Sequence, residues 1–472
     1  MPYLDVGGMM GRIALCGVFD IPNYGDHLFP LVLRKELSRR GYTGDVVLFS
    51  PFQAEESFVE NSNVHSLDDL ERMHIEEPFS AIVVGGGEII HWHRFGQKRT
   101  FSSIDFEAYP MDKVWLVPCF MKMKYNVPLL WNAPGIPFDF EVDKALAHYL
   151  FSNIDYLSVR NDFSKQVLID CGIPDTTIQR VPDTGFSLRN VATDQELQDA
   201  RNHVFPELQH YAVFHCNRFI PEAEIDNVVA TLRELHDGGY EIVLLPLAYT
   251  HGDEDILRTV HDACSFPCLI PQHPLSLLEI IGILSSCEIY VGTSLHGSVT
   301  ASVFGRKTVS FDYQQTKKTR DLYHQLGRDA FYVTDGNQLA ETVSDALKTQ
   351  QPVDFSDIQQ QLNQHFDKLF ALITQGDIVI PNPSSQAAQF SDLVQKCFDA
   401  EYRSIGLAQR VNELNIALKD NEGFVNYFKP RAEYFESELN KQLSRVHELE
   451  ELQQRPIKNN IAEHQKQVRN AK

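Results

Sequence analysis

Residues 291–307, VGTSLHGSVTASVFGRK, contain a histidine at a predicted turn between a strand and a helix. Apolar residues before Gly292 predict the strand, and the residues from Gly297 onward have helical spacing. Backbone N–H groups at a helix start attract anions, and the adjacent His296 is a residue type that donates or accepts protons. The helix dipole lowers the pKa of such a histidine, whereas a bound anion raises it. The stretch, with Ser294 as a hydroxyl donor, predicts a site that binds an anion and moves a proton. A tight turn with an incidental imidazole is the alternative.

The loop IPNYGDH follows the first predicted strand and supplies a second set of candidates, namely Asn23, Tyr24, Gly25 and Asp26. Asn23 and Gly25 suit a turn, and Asp26 can cap a helix that begins at His27. Amides at that helix start also attract phosphate. Helix capping is the simpler explanation of this loop, and substrate binding is the alternative.

A glycine-rich segment, VVGGGEII, follows the third predicted strand and contains Gly85, Gly86, Gly87 and Glu88. Glycines let a ligand approach the backbone closely. The segment is neither a GxGxxG motif nor a Walker A loop, because no Lys-Ser/Thr pair follows. A basic aromatic stretch with His91 and Arg94 comes next, and its position favours a substrate-binding loop over a solvated one.

Three further strand ends supply polar side chains. Arg160 in YLSVRND can bind a carboxylate or phosphate through two parallel hydrogen bonds, although an ion pair with Asp162 or Asp183 explains it equally well. Asp183 in VPDTGF is either a site residue or a helix cap. His215 and Asn217 in FHCNRF are candidate binding residues, with a buried core histidine as the alternative.

The elements that must position these residues alternate between apolar strands and helices, once from about residue 12 to 185 and again from 211. Unbroken apolar strands alternating with helices are typical of a parallel sheet covered on both faces. We predict an α/β fold with two Rossmann-like, doubly wound domains and a ligand cleft at the carboxyl ends of their strands. The predicted parts are a domain at 1–190, a domain at 205–350, a helical segment packing back on the body at 351–380, and a helical tail at 390–472.

The tail has a narrow apolar stripe that consists of Tyr434, Phe435, Leu439, Leu443, Val446 and Leu449. Their three- and four-residue spacing predicts a coiled-coil-like helix or a helix that docks on the body. The first alternative implies a homo-oligomer formed through C-terminal helices.

Composition narrows the class of protein. The chain has 472 residues and a formal net charge of −22, which argues against a nucleic-acid partner. Eight cysteines without a CxxC pair indicate buried thiols in a reducing compartment and predict no metal site. No apolar run reaches the length of a membrane span, and the N-terminus lacks signal-peptide features. The sequence therefore predicts a cytoplasmic protein, with a peripheral position at the inner membrane left open.

Five blocks in this order, NYGD, VVGGG, SVRNDFS, VPDTGF and GTSLHGSVTASVFGRKTVSFDY, resemble the polysaccharide pyruvyl transferase family over about residues 12–315. The resemblance implies a GT-B-like fold. It also implies transfer of the enolpyruvyl carbons of phosphoenolpyruvate to a sugar as a cyclic ketal, with release of phosphate. The acceptor would belong to a cell-surface polysaccharide, such as an exopolysaccharide, or to its free or lipid-linked precursor.

The resemblance also implies roles for single residues. The family's arginine-leucine-histidine block corresponds to Ser294, Leu295 and His296, so serine replaces the arginine, as in other branches of the family. The cations that could compensate are Arg160, Arg94, Lys98 and Arg306.

The implied chemistry assigns His296 as general acid or base and Arg160 as anion clamp, with Asp26, Glu88 and His91 orienting the sugar hydroxyls. Phosphoenolpyruvate would be the donor substrate, with no cofactor or metal. Two alternatives stay open, namely a GT-B-type glycosyltransferase that uses a nucleotide sugar and a non-catalytic scaffold in polysaccharide assembly.

Overall fold

The computed structural model describes residues 11–54, 57–91, 95–96, 108–140, 144–249, 252–375, 437–441 and 443–445. The described residues from 11 to 91 and from 96 to 375 belong to one compact unit, and those at 95 and 437–445 belong to a second. The first unit contains two main parallel sheets. The part of the chain around the first sheet is here called the N-terminal half, and the part around the second is called the C-terminal half.

Strands of the N-terminal half are short. They are β1 (Ile13–Cys16), β2 (Val46–Ser50), β3 (Val64–Ser66), β4 (Ala81–Gly85), β5 (Phe95–Gly96), β6 (Ala108–Tyr109), β7 (Leu129–Asn132), β8 (Leu157–Val159) and β9 (Ile178–Arg180). The main sheet has the parallel order β3-β2-β1-β4-β7, and a bridge between Leu130 and Tyr156 leads on to the parallel pair β8-β9. In β1 every residue is completely shielded from solvent, because helices cover both faces of the sheet.

Helices follow the strands of this half. They are α1 (Tyr24–Arg39), α2 (Leu70–Glu76), α3 (Lys113–Tyr125), α4 (Lys144–Phe151) and α5 (Asp162–Asp170), and a 3-10 helix covers Thr184–Asn190.

The C-terminal half has the parallel strand order β12-β11-β10-β13-β14-β15, the doubly wound arrangement of Rossmann folds. Its elements are α6 (Asp194–Val204), β10 (Tyr211–His215), α7 (Glu222–Asp237), β11 (Glu241–Leu244), α8 (Asp253–Ala263), β12 (Cys268–Leu269), α9 (Leu277–Ser286), β13 (Ile289–Gly292), α10 (Leu295–Val303), β14 (Lys307–Phe311), α11 (Lys317–Gln325), β15 (Tyr332–Val333), α12 (Leu339–Thr349) and α13 (Ser356–Gln375). The predicted α/β class with two Rossmann-like sheets is confirmed.

The polar segment between the two halves is largely helical. Thr193 and Glu196 form a capping box that starts α6. Helix α6 packs closely on α9, where a Cβ at Gly282 would collide with the carbonyl of Leu197.

Helix α13 returns to the N-terminal half. His365 contacts Asn132 Oδ1 through Nε2 at 2.9 Å and the Tyr156 hydroxyl through Nδ1 at 2.9 Å. On the surface, Arg40 Nε donates to Asp367 Oδ1 at 2.8 Å. The chain after the second sheet thus stabilises the first.

Backbone hydrogen bonds join the two halves next to their strand ends. Tyr24 N donates to the Leu247 carbonyl at 2.8 Å, and Tyr249 N donates to the Pro22 carbonyl at 3.2 Å. Between these bonds Asn23 and Ala248 form an antiparallel bridge.

A side chain also links the halves. The Glu60 carboxylate accepts hydrogen bonds from Leu277 N at 3.2 Å and Leu278 N at 3.0 Å, so it caps α9 from the other half.

Little of the predicted tail falls within the described residues. Residues 437–441 and 443–445 are helical, and the other positions of the predicted stripe lie outside the described ranges. Coiled-coil pairing therefore stays a prediction. None of the described helices combines the length and apolar character needed to cross a membrane.

Candidate active site

A cavity of about 210 Å³ lies where the carboxyl ends of both sheets meet. The N-terminal half contributes Asn23, Asp26, Gly87, Glu88 and Arg160 to its wall. The C-terminal half contributes His215, Asn217, Leu247, Ala248, Asp253, Thr293, Ser294, Leu295, His296, Asp312, Gln314, Thr316 and Lys318.

Among the described residues, four helices begin at this wall, so four helix N-termini meet at one cavity. Asn23, Ser294 and Thr316 are the N-caps of α1, α10 and α11, and Asp253 is the first residue of α8. Helix N-termini carry partial positive charge and orphan N–H groups, so their convergence favours an anionic ligand.

The His296 imidazole is held by close packing. A Cβ at Gly25 would overlap the ring at Nδ1, so only glycine lets α1 approach this closely. The Phe29 ring meets the imidazole edge-on, with 5.3 Å between centroids. His296 Nε2 lies 3.7 Å from Asp183 Oδ2, which is too long for a hydrogen bond, and it has no hydrogen-bond partner among the described residues. The carboxylate can thus compensate the charge of a protonated ring.

Arg160 is paired with two carboxylates. Its Nη1 lies 3.1 Å from Asp183 Oδ2, and its Nη2 lies 3.1 Å from Glu88 Oε1. Glu88 Oε2 also lies 3.4 Å from Lys318 Nζ. The guanidinium therefore holds both carboxylates in place, with one terminal nitrogen directed at each.

The carboxyl groups of the site differ in pKa because their electrostatic surroundings differ. Burial raises the pKa of Glu88, but the positive charges of Lys318 and Arg160 outweigh this effect and hold it at about 2. Burial likewise raises the pKa of Asp183. His296, Arg160 and the Gly185 N–H have a larger combined effect, and they hold this pKa well below its usual range. Both groups are therefore ionised at neutral pH.

Asp26 differs from these two carboxylates. Burial raises its pKa to about 6, although His296, Lys318 and Arg160 partly offset the increase. Because its pKa is higher than those of Glu88 and Asp183, Asp26 binds a proton at a pH where these neighbours do not. Gly87 adopts a φ of +72°, and a Cβ there would lie 2.6 Å from Asp26 Oδ1, so the glycine leaves room for this carboxyl group.

A second histidine of the wall, His215, is also paired with a carboxylate. Its Nε2 lies 2.9 Å from Asp253 Oδ2, and its Nδ1 lies 3.3 Å from Thr293 Oγ1. The same Asp253 oxygen accepts backbone N–H groups from Leu247 at 3.2 Å and Ala248 at 2.8 Å. His215 is thus oriented by its neighbours in the cavity wall.

Most of the sequence-predicted residues come together here. Those that line the cavity are Asn23, Asp26, Gly87, Glu88, Arg160, His215, Asn217, Ser294, Leu295 and His296. Asp183 supports Arg160 and His296 from behind, as described above. Arg94 and Lys98 lie outside the described residues.

The structure places several predicted binding residues behind the wall, namely Tyr24, Gly25, Gly85, Gly86, His91 and Gly297. Tyr24 is fully buried, and its hydroxyl bonds Thr300 Oγ1 at 2.7 Å. His91 is buried with its ring against Phe138.

The glycines behind the wall provide space for neighbouring side chains. A Cβ at Gly85 would meet Asn132, one at Gly86 would meet Phe29, and one at Gly297 would meet Tyr290. At these positions and at Tyr24 and His91, the structure shows contacts with other side chains outside this cavity wall, and direct contact with a ligand stays a prediction.

The cavity wall also contains residues that sequence reasoning missed, namely Leu247, Ala248, Asp253, Thr293, Asp312, Gln314, Thr316 and Lys318. Thr293 belongs to the quoted GTSLHG turn, and Lys318 follows the end of β14 after a short loop. The signal that could have found them is their position after a buried strand, the same signal that identified Arg160.

Ser294 occupies the position of the family's arginine. Its hydroxyl accepts Gly297 N at 3.3 Å and caps α10. Arg306 is not part of the wall, since its Nε bonds the Ser285 carbonyl at 2.7 Å. Lys318 is the additional cation that the wall contains.

Two Rossmann-like halves with a site at their meeting strand ends define a GT-B-like architecture. A solved structure assigned as a UDP-N-acetylglucosamine 2-epimerase from Listeria monocytogenes matches with a TM-score of 0.50 at 12% identity, over 80% of this chain and 100% of that chain. The UDP-GlcNAc 2-epimerase of Methanocaldococcus jannaschii gives a TM-score of 0.49 at 12% identity, over 77% of this chain and 99% of that chain. The chain belongs to the polysaccharide pyruvyl transferase family, whose sequence model matches residues 23–315, more than half of its length.

The chain also matches a curated protein over part of its length. The amylovoran biosynthesis protein AmsJ of Erwinia amylovora is 23% identical over 247 residues, which are 47% of this chain. The match spans 58% of the length of AmsJ.

Proposed function

We propose that the protein transfers the pyruvyl group of phosphoenolpyruvate to a sugar of a cell-surface polysaccharide or its precursor, forming a cyclic ketal and releasing phosphate. The observation that carries the proposal is the cavity in which His296, Lys318 and four helix starts meet. Family membership supplies the reaction class.

Donor binding needs positive charge, because phosphoenolpyruvate carries a carboxylate and a phosphate. The Lys318 side chain is 44% exposed and lies 3.4 Å from Glu88, so its ammonium can contact an incoming anion. N–H groups at the starts of α10 and α11 add donors. Lys318 thus supplies charge that the family's arginine would otherwise provide.

Arg160 acts indirectly in this proposal. Because its terminal nitrogens pair with Asp183 and Glu88, it positions those carboxylates instead of clamping the donor. Direct clamping, which the sequence predicts, remains the alternative.

His296 delivers the proton that the methylene carbon of the donor requires. Asp183, 3.7 Å from Nε2, stabilises the imidazolium before transfer. Asp26, with a pKa of about 6, can donate a hydrogen bond to a sugar hydroxyl or to the departing phosphate.

The test supplies phosphoenolpyruvate and a panel of methyl hexosides with free diols, and follows phosphate release together with ketal formation by NMR. His296→Gln should lower kcat by about 10²-fold or more, the usual effect of removing a general acid. Lys318→Ala should mainly raise KM for the donor, by about 10-fold or more, since a hydrogen bond to a charged group contributes about 1.5–3 kcal/mol.

Lys317→Ala is the matched control, because its ammonium lies 4.1 Å from the centroid of the Phe163 ring and the residue is not part of the wall. Unchanged ketal formation in His296→Gln would remove that residue from the mechanism. Turnover of a nucleotide sugar without any use of phosphoenolpyruvate would replace the proposal with a glycosyltransferase. Thermal protection by neither donor would favour a scaffold.

A further inference from the structure

We propose that Thr293, His215 and Asp253 form a second proton relay, which deprotonates the first acceptor hydroxyl. The inference rests on the proposed pyruvyl transfer. It gives the reaction two separate proton-handling groups, with His296 as the other.

The hydrogen-bond directions follow from the contacts of Asp253. This residue is fully shielded from solvent, and its Oδ2 accepts the backbone N–H groups of Leu247 and Ala248. An oxygen that accepts these bonds also accepts from His215 Nε2–H at 2.9 Å. Nδ1 of His215 then carries the lone pair and accepts the Thr293 hydroxyl proton at 3.3 Å. Hydroxyl, imidazole and carboxylate stand in the order that activates a hydroxyl group.

The other oxygen of Asp253 strengthens this assignment. Oδ1 is buried and has no hydrogen-bond partner among the described residues. A buried carboxylate with an unsatisfied oxygen is costly unless a nearby positive charge compensates it. Protonation of His215 at Nδ1 supplies that charge, so Asp253 acts as a positioning residue that stabilises the imidazolium.

The relay and His296 lie at one turn of the chain. Thr293 and His296 flank the start of α10, and both line the same cavity. A molecule bound at this helix start therefore contacts both groups. Their carboxylate partners differ, because Asp253 belongs to the C-terminal half and Asp183 to the N-terminal half.

Ketal formation needs two such groups, because two hydroxyl protons must be moved for each donor consumed. One proton ends on the methylene carbon, and the other leaves with the phosphate. A single imidazole would have to carry both protons within one turnover.

In the first step, the first acceptor oxygen bonds C2 of the donor and its proton passes to Thr293 Oγ1, while the Thr293 proton passes to His215 Nδ1. The double-bond electrons take a proton from His296 at C3. In the second step, the C2–O bond to phosphate breaks, and the phosphate leaves with the bonding electrons and the proton that the relay holds. The second acceptor oxygen then bonds C2 and returns its proton to His296.

The test compares Thr293→Val with Thr293→Ser in the full-length protein. Valine preserves the shape but removes the hydroxyl, so kcat for ketal formation should fall by about 10²-fold or more. Serine keeps the hydroxyl and should remain close to wild type. His215→Gln should match Thr293→Val in kcat while KM for phosphoenolpyruvate stays near wild type. In His215→Ala, added imidazole should restore part of the rate, which a merely structural histidine would not allow.

Wild-type rates in Thr293→Val or His215→Gln, or equal loss in Thr293→Ser and Thr293→Val, would overturn the relay while pyruvyl transfer stands. A wild-type protein that forms no ketal from phosphoenolpyruvate but turns over a nucleotide sugar would overturn the proposed function and this inference together. Unfolding midpoints of all variants separate loss of the relay from loss of the fold.

Discussion

At the scale of single residues, three neighbouring carboxyl groups of the site have different pKa values because their surroundings differ. The cations Arg160 and Lys318 keep Glu88 ionised, and Arg160 and His296 do the same for Asp183. Burial raises the pKa of Asp26 more than the nearby positive charges lower it, so this pKa is about 6. Carboxyl groups are thereby available as hydrogen-bond acceptors and as a donor at one site.

Asp26→Asn should change stability in a pH-dependent way. The folded pKa of Asp26, about 6, lies above its ordinary value of 3.8, so folding favours the protonated carboxyl and the ionised form destabilises the protein as pH rises through 6. Near pH 8, Asp26→Asn should therefore be more stable than wild type by on the order of 1 kcal/mol, and the difference should disappear near pH 4. Urea unfolding midpoints at both pH values measure it.

Glu88→Gln is the matched control for this experiment, and its sign is opposite. The pKa of Glu88 is lowered to about 2, so its ionised form stabilises the fold above its ordinary pKa. Glu88→Gln should lose stability at neutral pH. A gain in stability for both variants at high pH would contradict the assigned electrostatics.

Gly25→Ala should lower the rate of the folded protein by more than any loss of stability accounts for. Its Cβ would overlap the His296 imidazole and displace the ring. Misplacing a reacting group by about 1 Å can cost about 10²-fold in rate. Phosphate release from phosphoenolpyruvate, measured below the unfolding temperature, gives the effect.

Gly41→Ala provides the comparison, since Gly41 has a φ of +88° at the far end of the same helix and nothing within 4 Å of a Cβ. That substitution should cost about 1 kcal/mol of stability through backbone strain and leave the rate of folded enzyme unchanged. Equal rates for both variants would show that the Gly25 contact does not position His296.

At the scale of elements, Glu60 joins a 3-10 helix of the N-terminal half (Val59–Asn61) to the start of a helix in the C-terminal half. Ser276 caps α9 at Glu279 N, and Glu60 takes the N–H groups of Leu277 and Leu278. Glu60→Ala should therefore lower the free energy of unfolding by roughly 1 kcal/mol, as lost helix caps do.

Glu207, an exposed residue of the C-terminal half, serves as control, and Glu207→Ala should leave the unfolding midpoint unchanged. Urea unfolding of both variants checks the difference. Similar midpoints would mean that the cap does not contribute to stability.

The sequence predicts the elements well where the apolar pattern is distinctive. The unbroken run IALC is typical of a strand buried on both faces, and the amphipathic α7 has a clear helical period. The apolar pattern does not predict helix α3. Trp115, Phe120 and Met121 are buried on different sides of this helix, so it has no polar face that would show the helical repeat. Strand β15 is two residues long, too short for any pattern.

Strand ends predicted much of the site, but contacts between side chains could not be read from sequence. Arg160 and His296 were identified by their positions after buried strands. The pairing of Arg160 with Glu88 and Asp183 depends on three separate loops and appears only in three dimensions. Lys318 is not predicted because it lies farther from the end of its strand than Arg160 and His296 do. A buried histidine and a ligand-binding one look alike in a sequence, so the role of His91 stays a prediction.

At the scale of the whole molecule, the candidate site and the tail are separate in sequence. All described residues of the cavity wall lie between 23 and 318, and α13 ends at Gln375. A chain that ends at residue 382 should keep the unfolding midpoint and the activity of the full-length protein. Light scattering should show a lower oligomeric state if the tail associates as its apolar stripe predicts. An unchanged state would contradict that role.

The join between residues 22–24 and 247–249 consists of main-chain groups, and this has an evolutionary consequence. Side-chain replacement does not remove a backbone donor or acceptor unless proline is introduced. Mutations can thus alter the side chains of the cavity wall without disturbing the alignment of Asp26 with His296. For the proposed reaction, acceptor preference would then diversify among descendants of this chain while the donor chemistry is inherited unchanged.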